Sequence, residues 1–235
     1  VRPMPKNGSP QRFDAERAAA YDDRIRRLAP GYDLLQSTVA SVLAARLPDD
    51  AHLLVVGAGT GAEIVTMGRN VSRWQFTAVD PSPDMLDRCR SRVAEAGLAP
   101  RVEYVCDRIE DASFPRRFDA ATSLLVAHFI DGDAAKQRYF HALAEWLRPD
   151  APLVWADLYR PTSDEAYRAL WAAWREQTGA RMEADAAARA FERIDEGISF
   201  VRPATLHQIV ADAGLTPPVP LYQHLLWGAW MSTAA

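Results

Sequence analysis

The aliphatic run Leu53-Leu54-Val55-Val56 passes straight into Gly57-Ala58-Gly59-Thr60-Gly61 and out again through Ala62-Glu63. No other stretch limits the possible folds as much. Four consecutive aliphatic residues suit a strand covered on both faces. Three glycines in five positions would weaken either a helix or a strand, so they belong to a tight turn between the two. Glycine lets the backbone approach a ligand closely, and the helix that follows starts with unpaired N–H groups. Gly57, Gly59 and Ala62 also satisfy the relaxed dinucleotide pattern, in which Ala replaces the third Gly. An anionic ligand and one that presents a carboxylate both remain open at this stage.

The flanking pattern repeats this strand-then-helix order. Helices are expected over Phe13–Leu28, with Tyr21, Ile25 and Leu28 on one face, and over Tyr32–Leu47, the two parted by Pro30-Gly31. After the glycine turn come a helix to Arg69, a strand Phe76–Val79 and a helix from Pro83 to Ala96 closed by Gly97. Strands Val102–Val105 and Phe118–Leu125, a helix Ala134–Leu147 and a strand Pro152–Ala156 follow. Such alternation predicts an α/β fold: a Rossmann-like, doubly wound, mostly parallel sheet. Beyond Pro161 it stops. Residues 162–195 read as one or two helices, a helical cap. Pro203–Ala213 is a further helix and Leu221–Trp230 a final strand.

Charge removes several function classes. The 235 residues carry 27 Lys+Arg against 31 Asp+Glu, a net charge of −4, where a nucleic-acid binder needs a basic face. No run reaches the roughly 18 apolar residues of a membrane span. Residues 1–12, with Arg2, Lys6 and three prolines, read as a flexible arm without the apolar core of a secretion signal, which leaves 13–235 as one domain. Cys89 and Cys106 make no Cys-x-x-Cys pair, and neither they nor the histidines have metal-ligand spacing. No metal is expected, and a reducing, cytoplasmic setting is.

Carboxylates narrow the ligand. Asp80 ends the second strand, where an acid can accept from both hydroxyls of a ribose. Asp107 stands after the third strand, in Cys106-Asp107-Arg108-Ile109-Glu110-Asp111, within reach of the same crevice. It can accept from an adenine amino group while the Arg108 N–H meets the ring; as a plain helix cap it would do neither.

With these residues in view the chain resembles the class I S-adenosylmethionine-dependent methyltransferases. The resemblance is carried by Val55–Gly61, the Thr77–Leu86 segment, Asp107, Phe118-Asp119 and Leu147-Arg148-Pro149-Asp150. It implies S-adenosyl-L-methionine as cofactor and a seven-stranded sheet with an antiparallel last strand. It also implies helices leading into the sheet and a helical insertion after strand five. The cofactor set it implies is Tyr21, Tyr32, Gly57, Ala58, Gly59, Gly61, Asp80, Pro81, Met85, Asp107, Arg108, Ile109 and Val126. Many relatives carry an acid two positions before the first glycine, where this chain has Val55. The stretch from Ala20-Tyr21-Asp22-Asp23-Arg24 to Pro30-Gly31-Tyr32 is similar to the carboxy-S-adenosylmethionine synthases, a branch of the same fold. In that branch the tyrosine after Pro-Gly contacts the cofactor and an arginine holds its added carboxylate. Tyr32 and Arg202 stand at those places, whereas the branch's strand-four asparagine is about Leu124 here.

Methyl transfer from a sulfonium needs alignment, exclusion of water and, for some acceptors, removal of a proton. The expected function is methylation of a small molecule, with no nucleic-acid or membrane partner. A carboxylated-cofactor synthase, an NAD-dependent oxidoreductase and a non-catalytic cofactor-binding scaffold are the alternatives. His128, after strand four, is the candidate base, since imidazoles titrate near neutrality. Tyr159, Trp171, Arg202 and Tyr222 are candidates for the acceptor side. The aromatic C-terminal stretch around Tyr222, His224, Trp227 and Trp230 suits an edge strand, a pocket wall or a homodimer contact.

Overall fold

The computed structural model describes residues 15–235, with side chains from Tyr21 onward; the arm at 1–12 lies outside them. Two helices come first, α1 (Ala15–Leu28) and α2 (Tyr32–Ala44), then β1 (His52–Val56), α3 (Ala62–Asn70), β2 (Gln75–Val79) and α4 (Pro83–Glu95). They are followed by β3 (Val102–Val105), β4 (Ala120–Leu124), α5 (Asp133–Glu145), β5 (Pro152–Leu158), α6 (Asp164–Gly179) and α7 (Ala184–Gly197). The last elements are α8 (Pro203–Asp212), β6 (Val219–His224) and β7 (Trp227–Thr233).

The seven strands form one sheet in the order β3-β2-β1-β4-β5-β7-β6. Strands β1 to β5 pair in parallel, and β7 runs antiparallel to both β5 and β6. The chain reverses its direction of travel between β1 and β4, the switch point outside which open α/β sheets bind ligands. Alternation along β1 shows why both faces are covered. Leu53 and Val55 pack in a core with α2, α3 and α4, while Leu54 and Val56 pack in a second core with Phe140, Leu143 and Trp155.

Local chemistry sets the helix starts. Ser82 caps α4 by accepting from Met85 N at 3.3 Å, with Pro83 in the first turn, and Ser163 caps α6 by accepting from Ala166 N at 3.2 Å. The cap helices are tied to the N-terminal pair: Trp174 Nε1 donates to Leu28 O at 2.6 Å, and its ring meets Trp227, Phe191 and Trp171 edge to face.

Three expectations are corrected. The final strand Leu221–Trp230 is a hairpin of two strands, turning at Leu225 with φ 51°. Its aromatic residues run through a tight turn that holds no glycine or proline, so composition gives no break. Strand four is shorter than Phe118–Leu125, because Leu125 swings to φ 64° and Phe118 makes only a single bridge to Leu147. Strand five runs on past Ala156 to Leu158, carrying Asp157 with it.

Candidate functional site

The glycine turn leans on the end of β2: Gly57 N and Ala58 N both donate to Val79 O, at 2.8 and 3.1 Å. At Gly57, φ is 67° and a Cβ would overlap the Val126 side chain; at Gly61, φ is 79° and a Cβ would sit 2.7 Å from Cys89 Sγ. Both positions need a left-handed backbone and a missing side chain together. Asp80, 8% exposed, clamps the turn: Oδ2 accepts from Gly59 N and Oδ1 from Ser82 N, each at 2.9 Å. Burial pushes its carboxyl above the usual range, and the two N–H groups pull the other way. Each oxygen keeps a further lone pair for a ligand.

Helix α1 covers this turn. Thr60 Oγ1 donates to Asp22 Oδ1 at 2.8 Å, and Arg92 of α4 bonds both groups. Burial raises the Tyr21 phenol to about 12, with the carboxylates of Asp22, Asp80 and Glu63 adding to the rise against Arg24. Tyr32 is pushed the same way by burial, then by Tyr21, Glu63 and Asp22. Two tyrosines and three acids from α1, α2, α3 and β2 therefore converge. Glu63 was not foreseen from the sequence. It is 6% exposed, its Oε1 accepts from Thr122 Oγ1 at 2.9 Å, and burial raises its carboxyl to about 8.

Directly after β4 comes the left-handed Leu125, a conformation costly for a branched residue. It is followed by a 3-10 turn, Ala127–Phe129, that carries His128. His128 Nδ1 lies 2.6 Å from Asp157 Oδ1, which also accepts from His128 N at 3.0 Å and Leu158 N at 2.9 Å. Both residues are buried, 3% and 1% exposed. An Asp157 carboxylate can only accept, which puts the imidazole proton on Nδ1 and leaves the Nε2 lone pair unbonded. Lys136, wholly buried, holds the turn from below through the carbonyls of Ala127 and Ile130; burial lowers its ammonium while Asp157 opposes that shift.

His128 lines a cleft walled by Ile25 and Leu28 of α1, Leu125, Ile194 of α7 and Trp227 of β7, with Arg24 and Arg193 also in its lining. Tyr21 lines it too, and so joins this cleft to the glycine turn.

The expected cofactor residues fall into two groups. Tyr21, Tyr32, Gly57, Ala58, Gly59, Gly61, Asp80 and Val126 meet around the turn. Pro81, Met85, Asp107, Arg108 and Ile109 follow β2 and β3, with Met85 and Ile109 buried and Asp107 exposed. Asp107 Oδ1 accepts from Arg108 N at 2.8 Å, so these two partner each other, and Arg108 reaches on to Glu110. Of the acceptor-side candidates only His128 lines the cleft. Tyr159 turns to the opposite face of the sheet, against Trp230, and donates to Leu225 O at 3.0 Å. Trp171 sits in the aromatic cluster of the cap, Tyr222 donates to Pro30 O at 3.5 Å, and Arg202 is exposed at the start of α8.

The family model described as "Methyltransferase domain" matches residues 53–150, the span from β1 to just before β5. Over that span the chain is similar to methyltransferase domains. The N-methyltransferase NodS from Bradyrhizobium japonicum WM9, solved in complex with S-adenosyl-l-homocysteine, shares this fold with a TM-score of 0.65 at 15% identity, over 96% of this chain and 99% of that one. A putative O-methyltransferase from Nostoc punctiforme gives 0.66 at 14% identity, over 93% and 59%. Among curated proteins the chain is 31% identical over 104 residues to the carboxy-S-adenosyl-L-methionine synthase of Ruthia magnifica, covering 43% of each. It is 27% identical over 152 residues to that of Yersinia enterocolitica, covering 63% of this chain and 55% of the other. The chain thus spans about half the length of the curated relatives it matches.

The residues around the glycine turn fit S-adenosylmethionine. A Cβ at Gly59 would meet nothing nearer than Gly57 O at 3.8 Å, so the rim of the turn is clear. Asp80 keeps lone pairs for a diol, and Glu63 is a buried acid with no cation beside it among the described residues. Among the described residues no cluster of His, Cys, Asp or Glu suits a metal ion, and no helix is long and apolar enough to cross a membrane.

Proposed function

We propose that the chain transfers a methyl group from S-adenosylmethionine to a small-molecule acceptor bound in the cleft between α1, α7 and the C-terminal ends of β4 and β5. The observation that carries this reading is the His128–Asp157 pair, buried and bonded at 2.6 Å, with His128 among the residues that line the cleft. S-adenosylmethionine, when bound, supplies a methyl group activated by a positive sulfur. The residues of the chain do the rest. The apolar wall of Ile25, Leu28, Leu125 and Trp227 excludes water and takes the body of the acceptor. His128 Nε2 accepts the proton that a hydroxyl or amine loses as its new bond forms, and Asp157 stabilises the imidazolium. Arg24 and Arg193 suit an acceptor whose far end is polar or anionic.

Calorimetry with S-adenosylhomocysteine, followed by a labelled-methyl screen of hydroxylated and amino acceptors, tests the reading. Binding and label transfer that His128→Ala abolishes are expected; no binding, or transfer indifferent to His128, would refute it. The curated relatives favour a second reading, carboxy-S-adenosylmethionine synthesis. Against it stand Leu124 in place of the branch's asparagine and Arg202 outside the cleft lining. Mass spectrometry of ligand carried through purification separates the two by the mass of one carboxylate. Unpaired Cys89 and Cys106 suit a reducing compartment, and a cytoplasmic setting is part of the proposal.

A further inference from the structure

Val55, wholly buried, occupies the strand position where many relatives place an acid. The parallel register pairs Val55 with Thr122 on β4. Partners in register lie side by side on one face of a sheet, one strand spacing apart. Thr122 Oγ1 donates to Glu63 Oε1 at 2.9 Å. The Glu63 carboxyl therefore stands over the sheet beside Val55, delivered from the first turn of α3 instead of from β1. Its other oxygen has no hydrogen-bond partner, and the residue makes no ion pair among the described residues. Its field reaches Tyr21 on α1, Tyr32 on α2 and Cys89 on α4, none of them a cation.

A buried acid without a counter-charge is unfavourable unless a ligand completes it. We propose that Glu63 receives the α-ammonium of the cofactor's methionine end, an acid supplied from α3 where β1 has Val55. This rests on the cofactor assignment above. It makes Glu63 a binding residue that acts on the amino-acid moiety alone and has no part in gripping the adenosine. The helix start places it well: the turn ending at Gly61 brings the backbone of α3 to the crevice, and two residues later the Glu63 side chain points back over the sheet.

Calorimetry separates the proposal from a structural role. Wild-type protein should bind S-adenosylhomocysteine about 10- to 100-fold more tightly than its desamino analogue, the span expected of one charged hydrogen bond. Glu63→Gln should weaken S-adenosylhomocysteine by a similar factor and leave 5′-methylthioadenosine, which lacks the amino-acid moiety, unchanged. Equal affinity of the wild type for S-adenosylhomocysteine and the desamino analogue overturns the proposal without any variant. So does a Glu63→Gln protein that binds S-adenosylhomocysteine normally, or one that loses both ligands alike. A loss confined to S-adenosylmethionine would move the acid to the sulfonium and also overturn it. If the wild type binds none of these ligands, the cofactor assignment itself falls. Regained S-adenosylhomocysteine affinity in Val55→Asp/Glu63→Gln, which returns the acid to β1, would give further support.

Discussion

Glu63 also governs how stability should change with pH in the ligand-free protein. Burial raises its carboxyl from the usual 4.5 to about 8, with only the Thr122 hydroxyl opposing. The folded state then holds a proton that the unfolded chain has released, so stability falls as pH rises between those two values and levels off above the higher one. Over that span the loss is on the order of 4–5 kcal/mol, a large part of the total stability of a typical domain. In a domain of this size it corresponds to a fall in Tm on the order of 10 °C. Glu63→Gln keeps an acceptor for Thr122 and removes the titration. Tyr21, Asp22, Tyr32 and Asp80 face the same pocket in both proteins, so the difference between their curves isolates Glu63. Differential scanning fluorimetry from pH 5 to pH 9 should show the two curves meeting at the acid end and the wild type dropping below the variant as pH rises. Parallel curves would refute the argument. Saturating S-adenosylhomocysteine should shrink the gap by supplying the missing cation.

Further outcomes follow from the same contacts. Asp157→Asn should cut kcat by at least about 100-fold, because an amide no longer fixes the His128 proton on Nδ1, while calorimetry shows cofactor affinity within about twofold. Asp80→Ala should weaken S-adenosylhomocysteine binding by about 1–3 kcal/mol and loosen the turn, since Gly59 N and Ser82 N lose their acceptor; unchanged affinity would sink the ribose assignment. Gly57→Ala should destabilise by about 1–3 kcal/mol in chemical denaturation, and Val126→Ala should recover part of it by removing the side chain that the new methyl meets. Arg92→Ala should speed hydrogen exchange in α1 at a stability change of about 1 kcal/mol or less, because its bond to Asp22 is partly exposed.

The glycine turn could be read from the sequence because it is built largely from backbone. A glycine turn between a doubly buried strand and a helix leaves its mark in residue order, and Asp80 follows from the strand end that supports the turn. The paired layers around β1 were legible for the same reason: continuous aliphatic runs leave few other ways to be buried. The cleft at His128 is assembled across the fold. His128 and Asp157 are 29 positions apart, and they meet because β4 and β5 are parallel neighbours. Arg24 and Arg193 come from helices at opposite ends of the chain. Tyr159 was misjudged by one step of alternation: in β5 and its extension Leu158 faces the cleft, so the next residue must face away.

Two signals were nonetheless present. Asp157 is an acid inside the run Leu153–Leu158, and Glu63 an acid beside Ile64 and Val65 on a helix face that has to be buried. A charge in such a place is costly unless something answers it. For Asp157 the answer lies within the chain, in His128 and two backbone N–H groups, with Lys136 near enough to counter its charge. For Glu63 the described residues supply a single hydroxyl. That contrast separates the two acids by role. Asp157 is satisfied by the fold and orients His128, the base of the proposed reaction, so its loss should appear in turnover. Glu63 is left incomplete by the fold, and its loss should appear in ligand affinity. A pair of variants that reversed those two readouts would show that the burial of each acid had been assigned to the wrong cause.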